Sequence, residues 1–211
     1  MFEKPFFSKL NMIADWIIRL VVLNLLMILF CIPIVTSFAS ISAGFSMLKK
    51  YLHNESPELF KGFWVSFKRN FLRKLGFTLL TLFIFLLGYL NTLYYRESIS
   101  VSSPLFMSIG YYVSMSLIAI WFAVTIYYTL IVDMKEKTTF LKTIKFAFYL
   151  AGKYFITTFV LFFVTLLPVL LMFYPNGLTS MVFLLVGLTG PWSIIVLLTR
   201  KITHFAESVN L

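Results

Sequence analysis

Few residues of this chain have the types and spacing that chemistry needs. No His-x-x-x-His, Glu-x-x-His or Cys pair lies near His53 or His204, and Cys31 is the only cysteine. A zinc site needs three or four such ligands, and a disulfide needs two cysteines. The sequence also lacks the GxSxG, Walker A and GxGxxG patterns of serine hydrolases and nucleotide-binding proteins. We therefore expect no metal, no cofactor and no enzymatic activity.

The polar residues of the apolar segments do not favour chemistry within a membrane. Proton relays and general bases at membrane depth are ionisable side chains, and the long apolar segments have none at their centres. Asp15 and Arg19 lie four residues apart near the start of the first segment, which predicts a local ion pair on one helix face. Asn24 and Asn91 predict hydrogen bonds between helices or, alternatively, contacts with a substrate.

The elements that carry these residues are transmembrane helices. Of the 211 residues, 60% are hydrophobic and 12% are charged, and this charged fraction, about half that of soluble proteins, excludes an ordinary soluble domain. Four stretches without Asp, Glu, Lys or Arg cover residues 20–48, 75–95, 98–132 and 154–199. Each exceeds the roughly 20 residues that a helix needs to cross a bilayer. A Pro-Asn-Gly turn within residues 174–177 divides the last stretch.

The sequence therefore predicts an all-α fold, a polytopic transmembrane helical bundle that forms one membrane domain over residues 1–211. Continuous apolar runs indicate helices because the strands of a membrane barrel would alternate apolar and polar residues. Five spans are expected near residues 16–34, 75–94, 105–132, 154–173 and 178–199.

The segment after the first span allows several interpretations. Pro33 interrupts the helix, and small residues then continue without charge to residue 48. This stretch predicts a kinked continuation of the helix, a re-entrant turn or a short sixth crossing. Pro33, Thr36 and Ser37 are the candidate residues of a broken-helix turn, which in transporters lines a pathway. Small residues also allow close helix packing.

Basic residues concentrate in two of the connections. Seven lie in residues 49–74 and five in residues 133–153, and Arg200 and Lys201 follow the last span. Because Lys and Arg accumulate in short cytoplasmic loops, we expect both loops and the C-terminus to be cytoplasmic. Membrane orientation then explains the net charge of +10 without a nucleic-acid partner. The N-terminus is expected outside if the first span crosses once, and inside if residues 34–48 cross back.

Both basic loops contain a segment with the pattern of an amphipathic surface helix. Aromatic and aliphatic residues recur there at spacings of three or four between basic residues, as in helices that lie on a membrane surface. The predicted surface residues are Phe60, Phe63, Phe67, Lys68, Arg69 and Phe71 in the first loop and Phe140, Ile144 and Phe148 in the second. Two roles remain open for them: contact with anionic lipid headgroups, or docking of a cytoplasmic partner.

These two segments align at an offset of 81 residues, so that residues 61–67 correspond to residues 142–148. Because each segment precedes a long apolar helix, the alignment predicts a parallel internal repeat made of a span, a surface helix and a returning span. The first copy is expected at about residues 16–95 and the second at about residues 103–174. The last span, 178–199, is appended to them.

Three stretches of the sequence carry a resemblance to a known family. They are Leu29-Phe30-Cys31-Ile32-Pro33-Ile34-Val35-Thr36, the basic aromatic stretch Phe63-Trp64-Val65-Ser66-Phe67-Lys68-Arg69-Asn70-Phe71, and Gly190-Pro191-Trp192. Through them, the chain resembles the YesL-like bacterial membrane proteins, whose biochemical activity is undefined. The resemblance implies a plasma-membrane protein of Gram-positive-type bacteria, associated with binding-protein-dependent uptake of complex carbohydrates. It brings no catalytic residues.

We therefore expect a non-catalytic multi-pass protein that serves as an accessory or regulatory component of a carbohydrate ABC transporter, with the permease as its partner. The alternative is a small transporter or channel that acts as a homo-oligomer, with the turn at Pro33 in its pathway. The lack of charge within the spans argues against ion coupling and leaves passive conduction open.

Overall fold

The computed structural model describes residues 5–53, 55, 58–99, 104–134, 138–173 and 176–209. Within these residues the chain forms ten α-helices and no β-strand, which confirms the predicted all-α fold. The helices are α1 (Pro5–Cys31), α2 (Ser37–Leu52), α3 (Leu59–Lys68), α4 (Phe71–Ile99), α5 (Pro104–Ile131), α6 (Phe140–Lys153), α7 (Phe155–Phe173), α8 (Gly177–Val186), α9 (Thr189–Leu198) and α10 (Arg200–Ser208). A 3-10 turn at Ile34–Thr36 connects α1 to α2.

Four helices are each long and apolar enough to cross a membrane. Their apolar segments, among the described residues, are Leu10–Cys31, Phe71–Arg96, Met107–Ile131 and Phe155–Phe173. The bent pair α8 and α9 is a fifth candidate if it forms one span. Length and composition thus agree with four of the predicted spans, and with five if the bent pair counts as one. The first begins earlier than expected and includes Asp15 and Arg19, whose side chains form the predicted ion pair at 2.8 Å.

The helix after Pro33 runs back along α1. The Ser40 hydroxyl donates a hydrogen bond of 2.8 Å to the carbonyl oxygen of Met27, and the rings of Trp16 and Tyr51 lie 6.4 Å apart further along the pair. The antiparallel packing rules out the kinked continuation. The 16 residues of α2 extend about 24 Å, which is short for a full crossing, and a re-entrant segment and a short sixth crossing remain the two interpretations.

The last predicted span consists of two helices with a bend between them. α8 and α9 meet at an angle of 51°, and Pro191, which has no N–H to donate, lies in the first turn of α9. At its other end α8 is capped by Asn176, whose side chain accepts a hydrogen bond of 2.8 Å from the N–H of Thr179. Tyr174 and Pro175 of the predicted turn lie outside the described residues.

The core of the bundle lies around α2 and the C-terminal half of α5. Most of α2 is buried, because α1, α3, α4, α5 and α9 all contact it. Phe77 of α4 stacks on Tyr128 of α5 with ring centroids 3.6 Å apart, and it meets Phe38 of α2 edge-on at 5.0 Å. The outer faces of the spans expose apolar side chains such as Leu29, Phe83 and Phe163, as lipid-facing helices do.

Candidate functional site

A buried ion pair joins the first turn of α4 to the end of α5. The ammonium group of Lys74 lies 2.8 Å from Oδ1 and 2.9 Å from Oδ2 of Asp133, and it donates a further hydrogen bond of 2.9 Å to the carbonyl oxygen of Ser66. Lys74 is fully buried, and the side chain of Asp133 is 9% exposed. Burying either charge alone would cost several kcal/mol, so each charge needs the other at this position.

Two hydroxyl groups of α2 complete the arrangement. Ser42 and Ser46 both donate to Oδ2 of Asp133, at 2.5 and 3.4 Å, while Oδ1 receives no hydroxyl donor and is compensated by the charge of Lys74. We call Ser42, Ser46, Ser66, Lys74 and Asp133 the Lys74–Asp133 cluster. It links α2, α3, α4 and the end of α5 through charge-assisted hydrogen bonds, which are about twice as strong as neutral ones.

A helix break at Asn70, between α3 and α4, makes this cluster possible. Asn70 has a φ of 52°, a left-handed conformation that Asn adopts more readily than most residues. Its side chain donates a hydrogen bond of 2.9 Å to the carbonyl oxygen of Val132, which fixes the break against the end of α5. In an unbroken helix, Lys74 would lie about 12 Å along the axis from Ser66. The break brings the ammonium group back to the Ser66 carbonyl.

A cavity of about 450 Å³ lies beside the cluster, and we call it the charged cavity. Its walls come from α2, α3, the end of α5 and α10, and Ser46, Ser66 and Asp133 belong to both the cavity and the cluster. Its other ionisable residues are Lys49, Lys50, His53, Glu55, Arg69 and Glu207. Lys49 of α2 pairs with Glu207 of α10 at 2.5 Å, which closes one side of the cavity.

The first group of predicted surface residues divides between two faces of α3. Phe63 and Phe67 are buried, at 1% and 6% exposure, and their rings lie 5.6 and 5.0 Å from the ring of Phe30 in α1. Their burial corrects the prediction that both lie at the membrane surface. α1 covers this face of α3, and such a contact between distant segments is not encoded in the periodicity of the helix.

The adjoining face of α3 is exposed. Phe60 is 67% and Trp64 is 44% exposed, although the Trp64 ring also lies 5.8 Å from the ring of Phe30 and stacks on that of Phe67. The ammonium group of Lys68 lies 4.7 Å from the centroid of the Trp64 ring, within cation–π distance. Arg69, at the end of α3, lines the charged cavity, and Phe71 is partly buried at the start of α4. Trp64 therefore replaces Phe63 and Phe67 among the surface residues.

The second group of predicted surface residues lies in α6. Phe140 and Ile144 are partly buried there, and Phe148 is 59% exposed. The residues that α6 buries are Thr143, Phe146, Ala147, Leu150 and Ala151. The helix is thus amphipathic, with Phe148 on its outer face.

The buried faces of the two short helices correspond at a different offset from the predicted one. The break after α3 falls at Asn70 and the break after α6 at Tyr154, which is 84 residues later. At an offset of 81, buried Phe67 would correspond to exposed Phe148, whereas at 84 it corresponds to buried Ala151. The burial favours a register of 84, and the internal repeat itself stays a prediction.

The residues of the predicted broken-helix turn lie at the apex of the α1–α2 pair. The hydroxyl of Thr36 donates to the carbonyl oxygens of Phe30 and Pro33, at 2.7 and 2.9 Å, and these bonds close the turn. Pro33 is exposed and Ser37 begins α2. Pro33, Thr36 and Ser37 are not among the residues that line the charged cavity.

A second polar network lies where α1 meets the break between α8 and α9. Asn24 is fully buried, and its amide nitrogen donates to the carbonyl oxygens of Phe183 and Leu184 at 2.9 and 2.8 Å. Its amide oxygen accepts from the N–H groups of Leu188 and Thr189 at 2.8 and 3.0 Å. These four bonds use both donor hydrogens and both acceptor positions of the Asn24 amide. Their partners are backbone groups at the bend between α8 and α9, which would otherwise lack hydrogen bonds within the membrane. The predicted interhelical role of Asn24 is confirmed.

Sequence reasoning missed the ion pair because both partners count as loop charges. Lys74 directly precedes the uncharged run that starts at residue 75, and Asp133 directly follows the run that ends at residue 132. This placement could have indicated the pair. If the two helices are antiparallel neighbours, the start of one and the end of the other lie at the same depth in the bundle, so the two opposite charges can meet. The placement does not show whether such charges face each other or face water.

The chemistry of the cluster is that of a structural network. Lys74 directs its ammonium group at Asp133 and the Ser66 carbonyl, so it is already engaged as a donor. Among the residues that the structure describes, no three His, Cys, Asp or Glu side chains come close enough to hold a metal ion. The cluster is suited to holding helices together and to shaping the charged cavity.

Residues 20–92 of the chain match a family model described as a protein of unknown function, DUF624. The matched segment runs from α1 through most of α4, so it includes Lys74 and the break at Asn70 and ends before Asp133. No curated protein and no solved structure matches the chain.

Proposed function

We propose that this protein is a non-catalytic, YesL-like multi-pass protein of a bacterial plasma membrane, where it acts as an accessory or regulatory subunit of a carbohydrate ABC permease. The accessory role rests on one observation. The Lys74–Asp133 cluster and the Asn24 network use their polar groups to hold helices together, whereas charged and aromatic side chains are exposed at one end of the bundle. The carbohydrate partner rests on the resemblance of the three sequence stretches.

The engagement of Asn24 and Lys74 with neighbouring helices favours an accessory subunit over a conducting pore. A solute pathway needs polar groups that can exchange their partners for the solute. Asn24 uses its whole amide on the α8–α9 break, and Lys74 is held by Asp133 and Ser66. Both networks hold helices in place. An oligomeric transporter or channel is therefore the weaker alternative.

The three short helices α3, α6 and α10 lie at one end of the bundle, and we call this end the charged end. α3 and α10 both line the charged cavity, and the ammonium group of Lys153, at the end of α6, lies 3.5 Å from the ring centroid of Phe205 in α10. The basic residues of this end favour a cytoplasmic location for it and for the C-terminus. It is the surface that we propose for permease docking.

The outer face of α3 is proposed to rest on anionic lipid headgroups. Phe60, Trp64 and Lys68 recur at spacings of four on this face. After the break at Asn70, Leu72 at the start of α4 is 81% exposed. A basic residue near an anionic surface contributes about 1 kcal/mol. Replacing Phe60 and Trp64 by Ala keeps every charge. We expect weaker flotation with phosphatidylglycerol vesicles and unchanged permease capture, and loss of capture alone would contradict this assignment.

Crosslinking in the native membrane, followed by purification, tests the association. We expect an ABC permease to be recovered with the wild-type chain and lost when Arg200 and Lys201 of α10 are both changed to Glu. Arg96→Glu is the matched control, because it reverses an exposed basic charge at the far end of α4. Equal loss in the control would contradict docking at the charged end. A purified homo-oligomer that conducts sugar in liposomes would establish the alternative.

The side of the N-terminal arm follows from the α1–α2 pair. Because Trp16 meets Tyr51, α1 begins at the end of the bundle where α2 finishes, so we propose that both termini are cytoplasmic.

Single-cysteine labelling tests this topology in a Cys31→Ser chain. An impermeant maleimide added to intact cells is expected to label the Asn176→Cys variant and to leave the Ser8→Cys and Lys201→Cys variants unlabelled, since Ser8 precedes the first apolar segment. Labelling of the Ser8→Cys variant from outside would contradict the proposed topology.

A further inference from the structure

We propose that the charged cavity is a binding site for a ligand with one phosphate group, either the headgroup of a phospholipid or a soluble phosphate monoester. The proposal is independent of the permease association, since it rests on the size, the charge and the position of the cavity.

The cavity has the dimensions of a small-ligand site. Its volume of about 450 Å³ lies within the range of about 300–1,000 Å³ that such sites occupy. Four separate parts of the chain form its walls, namely α2, α3, the end of α5 and α10. The Lys74–Asp133 cluster holds three of these parts together, and the Lys49–Glu207 pair holds α10 against α2. The site is therefore built before a ligand arrives.

The charge of the walls selects an anion. Among the described residues, and with Lys74 directly behind Asp133, the walls carry four cations and three carboxylates: Lys49, Lys50, Arg69 and Lys74 against Glu55, Asp133 and Glu207. Two of the carboxylates are paired, Asp133 with Lys74 and Glu207 with Lys49. The described wall residues thus have a surplus of one positive charge.

Phosphate is the anion that fits this surplus. A phosphodiester carries one negative charge, and a phosphate monoester carries about 1.5 to 2 at neutral pH. Ammonium groups are common phosphate ligands in proteins, and Lys50 supplies one in the cavity wall. Arg69, another wall residue, lies two residues before α4, whose apolar segment starts at Phe71. The cavity is therefore level with the start of a span, where lipid headgroups are found.

Lys50→Gln is the test variant, with two controls. It removes a cation from the wall, whereas Lys50→Arg keeps the charge and controls for folding. Lys61→Gln makes the same change outside the cavity, since the Lys61 side chain is 78% exposed on α3 and lies 4.0 Å from Glu58. The full chain is purified in detergent for each variant. Glycerol 3-phosphate is titrated by calorimetry with glycerol as the blank, and co-purified phosphatidylglycerol is measured by native mass spectrometry.

The two probes distinguish the two sources of phosphate. For a soluble ligand, we expect glycerol 3-phosphate to bind the wild type, the Lys50→Arg variant and the Lys61→Gln variant alike, and the Lys50→Gln variant about tenfold more weakly. For a lipid, we expect no binding of glycerol 3-phosphate, and phosphatidylglycerol that is retained by all chains except the Lys50→Gln variant. Equal weakening by Lys61→Gln, or the absence of both probes from the wild type, would overturn the proposal.

Discussion

Replacing Lys74 by Met tests the Lys74–Asp133 cluster directly. The change keeps most of the aliphatic volume and removes the ammonium group, so Asp133 stays buried with only Ser42 and Ser46 as donors. Breaking a buried ion pair in this way costs about 3–5 kcal/mol. Because 1.36 kcal/mol corresponds to a factor of ten, the folding equilibrium should fall by about two to four orders of magnitude.

The assay is reversible denaturation of the purified chain in detergent, followed by far-ultraviolet circular dichroism. Asp133→Leu should also destabilise, since it leaves the ammonium group of Lys74 without its carboxylate. The double variant should lose much less than the sum of the two single losses, because an apolar pair can replace a buried ion pair at little cost. Lys68→Met is the control, since Lys68 is exposed on the Trp64 ring, and its loss should stay below about 1 kcal/mol.

Two results would refute this reasoning. A loss below about 1 kcal/mol for Lys74→Met would mean that the ammonium group is hydrated rather than buried. Additive losses in the double variant would mean that Lys74 and Asp133 stabilise the bundle independently.

Three other substitutions are predicted with the same assay. Asn24→Leu should cost about 2–3 kcal/mol of folding free energy, since it removes four hydrogen bonds of about 0.6 kcal/mol each. Asn91→Leu removes one side-chain hydrogen bond and should cost about 0.6 kcal/mol. Equal losses for the two variants would contradict this account. Tyr51→Phe should raise the free energy of unfolding by about 1 kcal/mol, because the Tyr51 hydroxyl is buried without a hydrogen-bond partner among the described residues. Burial also raises the pKa of this phenol, so it stays neutral. A lower stability of the variant would show that the hydroxyl has a partner. Gly44→Leu should cost about 1–3 kcal/mol because a Cβ there would lie 2.6 Å from Cε of Met27, and adding Met27→Ala should restore part of it unless the helices have separated.

The spans could be predicted from the sequence because membrane crossing depends on a local property. Each helix that crosses must be apolar over its own length, whatever its neighbours are. The runs without charge therefore predict the four helices that are long and apolar enough to cross a membrane, and also the bent α8–α9 pair. The break at Asn70 was harder to foresee, since Asn is tolerated at many positions and its left-handed backbone depends on the bond to Val132.

The candidate site depends on contacts between distant parts of the chain, and periodicity does not encode these contacts. The spacing of Phe60, Phe63 and Phe67 correctly predicts an amphipathic α3, but it does not show which face meets Phe30 of α1. For the same reason the predicted surface residues include Phe63 and Phe67, which the fold buries against α1. The sequence does not predict the Lys74–Asp133 pair, because a charged residue at the end of a span is usually solvated. The burial of both residues depends on the packing of α2 and α3 around them.

The cluster and the charged cavity make separable predictions although they share a wall. Lys50→Gln removes a cation that lines the cavity and leaves every bond of the Lys74–Asp133 cluster in place, so it should weaken phosphate binding without changing stability. Lys74→Met removes the surplus charge and also leaves Asp133 unpaired, so it should weaken both. A ligand at one hundred times its Kd stabilises the folded state by about 2.7 kcal/mol. Glycerol 3-phosphate, if it is the ligand, should therefore raise the midpoint of the wild type, whereas the same concentration is only about ten times the weaker Kd of the Lys50→Gln variant and should stabilise that variant by about 1.4 kcal/mol. If the Lys50→Gln variant instead lost stability without ligand, the cation would serve the fold, and the cavity would be a consequence of packing rather than a binding site.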